Sequence, residues 1–253
     1  MATKSTTESE GRRAELLVML QQEGVVRLPE ASERFGVSAM TIRRDLEALE
    51  SDGLLRRVRG GAVSVIGPRP FGERRAVAQR AKELIADKAM AFVPQGGSIA
   101  FDASSTVGTL AGRLGTRAAL IVATNSYQTY SAMRGASGVD PILIGGETEV
   151  ATDSFVGPIA IHAAESLRYQ RFFTSASAID SRFGTTEVSL REAEVKQAFY
   201  RMSRELILLI DSSKLEQQST AVGFALHDAT VLITELHPSD ARLDAFRDRI
   251  ELR

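Results

Sequence analysis

Arg43 and Arg44 stand side by side in GVSAMTIRRDLEALESDGLLRRVRGGA, residues 36–62, and Arg56, Arg57 and Arg59 follow with no acidic residue across 54–61. A guanidinium fork donates two parallel hydrogen bonds, which suits a guanine edge or a phosphate. At about 100° per residue, Ile42, Leu46 and Leu49 fall on one face of a helix, and Met40, Arg43, Arg44 and Glu47 fall roughly opposite. Gly36 permits a tight turn before that helix, and Ser38 can accept a backbone N–H of its first turn. Beyond Gly53, a candidate C-cap, residues 54–59 alternate as a short strand, and Gly60-Gly61 turns it back. The residues assigned to a DNA contact are Ser38, Met40, Thr41, Arg43 and Arg44 on the helix and Arg57 and Arg59 on the hairpin.

A second chemistry is spread over the rest of the chain, where polar clusters follow short apolar runs. These are Asp102-Ala103-Ser104-Ser105-Thr106, Thr124-Asn125-Ser126, Gly145-Gly146-Glu147 and Asp211-Ser212-Ser213-Lys214. In open parallel sheets, ligands lie beyond the carboxyl ends of the strands. Hydroxyls and backbone N–H groups at a helix start can grip a phosphate, and Lys214 can neutralise a dianion. Asp102 would repel a phosphate, so its role is to bind sugar hydroxyls or to brace its loop. Asp180 and Glu187 add acceptors suited to hydroxyls. Each cluster alone reads as a capped helix start or a solvated turn; four in succession indicate one shared pocket for a polar ligand.

The elements that must position these groups follow from periodicity. Leu16, Leu17 and Leu20 give a first helix, residues 25–28 a short strand, and Pro29-Glu30-Ala31 the first turn of a second helix that ends near Phe35. With the arginine helix and hairpin this is a winged helix-turn-helix. Residues 63–72, VSVIGPRPFG, lose the helical pattern. A helix resumes at Glu73 with Ala81, Leu84, Ile85, Ala89 and Phe92 on one side. Strands are then expected at 98–101, 120–123, 142–144, 172–175, 206–210 and 231–233, and helices at 106–114, 127–133, 159–167, 190–203 and 239–246. That rhythm predicts an α/β domain with a mainly parallel sheet and helices on both faces. The expected organisation is a disordered tail over 1–9, the winged helix-turn-helix over 10–66, a linker over 67–72 and an effector-sensing and oligomerisation domain over 73–253.

The 253 residues carry a formal charge of −1, and residues 1–66 hold ten basic and ten acidic side chains, so placement rather than net charge argues for DNA. With no cysteine and three scattered histidines, thiol catalysis, disulfides and the usual metal sites are not expected. No apolar run approaches the ~18 residues of a membrane span, and the polar start reads as that of a cytoplasmic protein.

The run Ser38-x-x-Thr41-Ile42-Arg43-Arg44-Asp45-Leu46-x-x-Leu49-Glu50-x-x-Gly53-Leu54-Leu55-x-Arg57-Val58-x-Gly60-Gly61-Ala62 resembles the signature of the deoxyribose-operon repressor (DeoR) family of bacterial transcription regulators. The resemblance extends over nearly the whole chain. It implies a sensor domain similar in fold to ribose-5-phosphate isomerase, answering to a phosphorylated sugar. The segments that would line the effector site are Asp102, Ser104, Ser105 and Thr106, then Asn125, Gly146, Asp211 and Lys214, with Lys82 where that family places a lysine linked to effector response. Ala103 stands where many relatives have glycine, so the loop path can differ.

The expected function is that of a repressor of a sugar or carbohydrate-catabolic operon, released from its operator by the effector. The partners are duplex DNA, the sugar phosphate and further copies of the chain in a homodimer or homotetramer, because one winged helix reads few base pairs. No cofactor, no membrane partner and no enzymatic activity are expected. The rival reading is a sugar-phosphate isomerase with a DNA-binding extension, in which Glu187 or Glu192 would be the base and Lys196 or Lys214 the electrophile. The chain lacks the glycine-rich, lysine-led loop before Glu187 that such isomerases carry, and has Ser181-Arg182-Phe183-Gly184 there.

Overall fold

A computed structural model describes residues 2–23, 25–51, 54–63, 71–150 and 152–253 of the chain. Gly24, Gly53 and most of the expected linker lie outside the described residues. The chain forms two compact units, residues 1–67 with 76–78, and residues 68–75 with 79–253.

In the first unit, α1 (Ala2–Glu23), α2 (Leu28–Phe35) and α3 (Ala39–Ser51) enclose a small core, with β1 (Val25–Arg27), β2 (Arg56–Val58) and β3 (Gly61–Val63) beside it. Leu16, Leu20, Ala31, Ile42, Leu46, Leu49 and Leu55 are buried together, with Phe35 packed at the edge. Gly36, in the left-handed conformation, ends α2. β2 and β3 form the wing hairpin, and β1 pairs antiparallel with β3 on its other side. Residues 2–9, expected as a tail, belong to α1. They contain no proline or glycine, and a helix nucleated downstream extends at one backbone hydrogen bond per residue.

The second unit opens with α4 (Phe71–Ala76) and α5 (Gln79–Ala89), separated by Ala78 at φ +51°. One helix from Glu73 was expected; the left-handed residue breaks it in two. Then come β4 (Gly96–Phe101), α6 (Ser105–Ala111), β5 (Ala119–Thr124), α7 (Tyr127–Met133), β6 (Val139–Leu143), the hairpin of β7 (Glu147–Glu149) and β8 (Ser154–Val156), and α8 (Gly157–Glu165). They are followed by β9 (Tyr169–Thr174), β10 (Ala178–Asp180), β11 (Gly184–Glu187), α9 (Leu190–Arg201), β12 (Ser203–Leu209), β13 (Ala221–Val222), β14 (Val231–Ile233) and β15 (Glu251–Leu252). A short 3-10 helix, Ala241–Phe246, stands where an α-helix was expected.

The main sheet has seven strands in the order β15-β14-β12-β9-β4-β5-β6, every pair parallel. Successive side chains of a strand point to opposite faces, and the two cores follow that rule. Ala100, Phe172, Leu206 and Leu208 pack with Ala160, Ala164, Val195 and Phe199 of α8 and α9. Ile99, Phe101, Phe173, Ile207 and Leu209 pack with Ile85, Ala86, Val107 and Leu110 of α5 and α6. The chain winds outward from β4 through β5 and β6 on one side and from β9 through β12 and β14 on the other. The topological switch point therefore lies between β4 and β9, where a parallel sheet opens a crevice at its carboxyl edge. Leu84 does not join the core as expected: it is exposed, and Lys82 is buried in its place with Ile85, Ala86 and Ala89.

Candidate functional site

In the first unit, α3 begins as its sequence indicates. Ser38 Oγ accepts the Thr41 N–H at 3.2 Å and lies 3.0 Å from the Thr41 hydroxyl. Met40, Arg43, Arg44 and Glu47 are exposed on the face opposite the core, and Thr41 is half-buried. Asp45, next to the arginine pair, is buried and takes Arg12 Nε at 2.5 Å and Arg13 Nε at 3.1 Å, which ties α1 to α3. Sequence reasoning missed this clamp, because an acidic residue beside two exposed arginines looks like part of the same solvated face.

Arg57 was assigned to DNA, but its guanidinium is shared between Glu47 at 2.5 Å and Glu50 at 2.7 Å, and its own N–H donates to Glu50 at 2.8 Å. These contacts join the wing to α3 and leave the Arg57 side chain 39% exposed. Arg43, Arg44, Arg56 and Arg59 are exposed and form no ion pair among the described residues.

In the second unit, the polar clusters meet at the switch point. Asp102, just past β4, is fully buried. One of its oxygens accepts Ser104 N at 2.9 Å; the other accepts Thr174 Oγ1 at 2.6 Å and Ser175 N at 3.0 Å, with Lys196 Nζ at 3.1 Å. Of its two expected roles, loop bracing is the one this geometry supports. Ser104 caps α6 by accepting Val107 N at 3.2 Å. Ser105 and Thr106 are buried in the first turn, and the Thr106 hydroxyl has no partner. Register places Asn125, past β5, alongside Asp102. Its amide donates to the Phe155 carbonyl at 2.9 Å, while its own oxygen is buried without a partner.

Beyond β12, Lys214 Nζ donates to Ser175 Oγ at 3.0 Å and lies 3.4 Å from Asp211 Oδ2, and the Ser213 hydroxyl donates to Asp211. The buried Lys82 donates to the Arg74 carbonyl and acts electrostatically on Asp211. The Arg74 guanidinium donates to the Ala103 carbonyl at 3.2 Å and to the Thr152 carbonyl at 2.5 Å. Asp102, Ser175, Lys214, Asp211, Lys82, Arg74 and Ala103 thus gather as a polar ring over the ends of β4, β9 and β12.

Arg74, Ser175, Lys196 and Glu192 were not among the effector residues chosen from sequence. Nothing in the run GERR marks Arg74 for the site, and Ser175 and Lys196 join it only through the tertiary fold. Lys196 contacts Glu187 Oε1 at 2.5 Å and the Ser175 carbonyl at 2.8 Å, besides Asp102. Two other residues expected at the effector site make local contacts. The Asp180 carboxylate accepts the N–H groups of Arg182 at 2.7 Å and Phe183 at 3.0 Å and the Gln218 amide at 3.0 Å, so it braces the β10–β11 turn. Gly146 packs against α8: a Cβ there would lie 2.6 Å from the Val156 carbonyl oxygen and 3.0 Å from the Ala160 Cβ, so packing already accounts for the glycine.

The buried carboxyls differ in charge state. Burial opposes ionisation of Asp102, but Lys196 and the hydrogen bonds from Ser104 and Thr174 outweigh it and hold the group below its usual range. Lys214, Ser213 and Lys82 do the same for Asp211. Burial raises Glu192 above the usual glutamate range, against the pull of Lys196 and Arg74. A carboxyl whose pKa is higher folded than unfolded stabilises the fold below the unfolded value, and that contribution is lost as pH rises through the folded value. Glu192→Gln should therefore match the parent chain in melting temperature near pH 4 and exceed it at pH 8. A lower melting temperature for the variant at pH 8 would show the ionised carboxylate to be stabilising.

Among the described residues, no helix is long and apolar enough to cross a membrane. Residues 12–66 match the DeoR-like helix-turn-helix domain, and residues 77–236 match the DeoR C terminal sensor domain. The chain is 31% identical over 242 residues to the HTH-type transcriptional regulator GolR of Listeria innocua, covering 94% of each chain. It is 30% identical over 243 residues to the lactose phosphotransferase system repressor of Lactococcus lactis subsp. lactis, covering 93% of this chain and 94% of that one. It is 27% identical to a putative aga operon transcriptional repressor of Escherichia coli, covering 85% and 82%. With a winged reading head in one unit, a polar strand-end site in the other and matching relatives along nearly its full length, the chain belongs to the DeoR family of transcription regulators.

Proposed function

We propose that this regulator is a sequence-specific repressor of a carbohydrate-catabolic operon, and that a phosphorylated sugar bound at the strand-end ring controls its hold on DNA. The observation that carries this reading is the ring itself. Lys82, Lys214 and Arg74 converge with the hydroxyls of Ser104, Ser105 and Thr106 at the switch point of a parallel sheet. Unpartnered oxygens on Thr106 and Asn125 leave room in the hydrogen-bonding for a polyhydroxyl ligand. The names of the relatives, repressors of lactose and aga systems, support the sugar class. In this reading residues 10–66 bind the operator, 67–72 link, and 73–253 sense the effector and form a homodimer or homotetramer; the effector is a ligand and no cofactor takes part. The geometry does set Glu187 2.5 Å from Lys196, as the isomerase alternative requires, but that ammonium is also engaged by Asp102 and the Ser175 carbonyl, and the named relatives, which are transcription regulators, favour the repressor reading.

The experiment combines selection of the operator from random duplexes with thermal-shift screening of phosphorylated sugars. Arg43→Ala or Arg44→Ala should cost ~1–3 kcal/mol on the selected operator and relax sequence preference, because a guanine edge loses its two donors. Arg59→Ala should weaken binding to every duplex alike and lower the salt slope by about one. Equal losses on operator and random DNA for both helix variants would refute the reading assigned to α3. A melting temperature indifferent to the whole sugar panel would refute the effector class.

A further inference from the structure

Glu192 lies in the first turn of α9, with its N–H capped by Ser189 Oγ at 3.3 Å, yet its side chain is almost wholly buried. The sequence Ser189-x-x-Glu192 reads as a capping box, in which the glutamate would fold back over the helix end. Instead it is buried one helical turn before Lys196 on α9, where the charges of Arg74, Lys196 and Glu187 and the Ser154 hydroxyl act on it. Of the other elements packed on α9, β8 and β13 carry no charged residue. Glu165 of α8 pairs with Arg201 at the far end of α9, Glu205 of β12 pairs with Arg171 of β9 towards the amino end of the sheet, the Tyr169 hydroxyl of β9 donates to the Ala164 carbonyl, and His162 of α8 and Arg204 of β12 are exposed.

We propose that Glu192 is the proton acceptor of the sensor site, taking up a proton when a phosphorylated ligand enters, so that effector binding and proton uptake are coupled. This rests on the sugar-phosphate reading above. The argument is one of charge. Asp102, Glu187, Glu192 and Asp211 face Arg74, Lys82, Lys196 and Lys214, so the buried site is balanced before any ligand arrives. A sugar phosphate brings close to two negative charges at neutral pH. In a buried site that excess is relieved most cheaply by protonating a carboxylate. Asp102, with its four donors, resists, as does Asp211, bound to Ser213 and Lys214, while Glu187 is already engaged by Lys196 at 2.5 Å and by Ser177 Oγ at 2.9 Å. Glu192 is the carboxyl that burial already biases towards its neutral form. Once neutral, it ceases to compete for Arg74 and Lys196, the two cations that hold the Ala103 and Ser175 carbonyls at the rim. Glu192 is thus a positioning residue acting through those cations.

The test is calorimetric titration of the full chain with ribose 5-phosphate, glucose 6-phosphate, fructose 1-phosphate and glycerol 3-phosphate. Titrations run at pH 8 in buffers of different ionisation enthalpy. The phosphate is already dianionic there, so the ligand contributes no proton of its own. The parent chain should take up a sizeable fraction of one proton per ligand, and its affinity should fall as pH rises from 6.5 to 8.5, by at most about tenfold per unit. Glu192→Gln should take up none, bind more tightly than the parent at pH 8 and show a flatter profile. Ser154→Ala, which removes the hydroxyl that favours the ionised form, should move the fall in affinity to higher pH. Equal proton uptake in the parent and Glu192→Gln overturns the proposal while leaving the sugar-phosphate reading standing. If Glu192→Gln does not fold, an unmoved profile in Ser154→Ala overturns it. If no ligand in the panel binds the parent chain, the sugar-phosphate reading fails and this inference falls with it.

Discussion

Replacing Lys196 with methionine should destabilise the sensor domain by about 3–5 kcal/mol, the usual cost of removing one partner from a buried ion pair. The ammonium is 3.1 Å from Asp102 and 2.5 Å from Glu187, and both carboxylates are almost fully buried. Methionine fills similar volume, so the loss is electrostatic: two charges remain without a cation, and the Ser175 carbonyl loses its donor. For a domain of this size each kcal/mol corresponds to about 2–4 °C in melting temperature, so a depression of roughly 6–20 °C is expected in thermal unfolding of the full chain. The deficit should shrink at acid pH, where the stranded carboxylates neutralise by taking up protons. A loss below 1 kcal/mol at neutral pH would mean that the lysine merely repays its own desolvation.

Lys214→Ala should weaken the effector response ten- to hundredfold without changing operator affinity in the absence of effector. The lysine rests on Ser175 Oγ at 3.0 Å and on Asp211 at 3.4 Å, and its side chain is 22% exposed, so it is positioned yet reachable by a ligand. A charge-assisted contact to phosphate is worth about 1.5–3 kcal/mol, which sets the size of the effect. Lys82→Ala should act in the same direction and also release the Arg74 carbonyl that Lys82 holds. Asp211→Ala should blunt the response more mildly, because it loosens Lys214 and Ser213 rather than removing a phosphate donor. The measurement is operator release against effector concentration. An unchanged half-maximal concentration in both lysine variants would place the effector elsewhere.

Much of the molecule was legible in the residues alone because its determinants are local. Gly36, the Ser38 cap and the Ile42, Leu46 and Leu49 stripe act within a few residues of one another, so the reading helix and its exposed Arg43 and Arg44 were visible without a fold. The parallel sheet was visible too, as apolar runs separated by helical spacing, with the 231–233 strand and the 127–133 helix placed to the residue. The short antiparallel pairs β7–β8 and β10–β11 were not, because strands of three and four residues are too short to show an alternation.

Partnership between charges separated far along the chain was decided only by the tertiary structure. Asp45 reads as a surface acid until α1 brings Arg12 and Arg13 onto it, and Arg57 reads as a free cation until the wing folds back onto Glu47 and Glu50. Lys82 is turned inward and Leu84 outward because the carbonyl of Arg74 and the charge of Asp211 await the lysine, which no helical period records. The ring likewise depends on β9 lying between β4 and β12, which sets Ser175 against Asp102 and Lys214 although they are 73 and 39 positions away in the chain. Hydrophobic periodicity is a property of neighbours in sequence. The energy of a buried charge depends on what lies within a few ångströms in space, and strand order determines that.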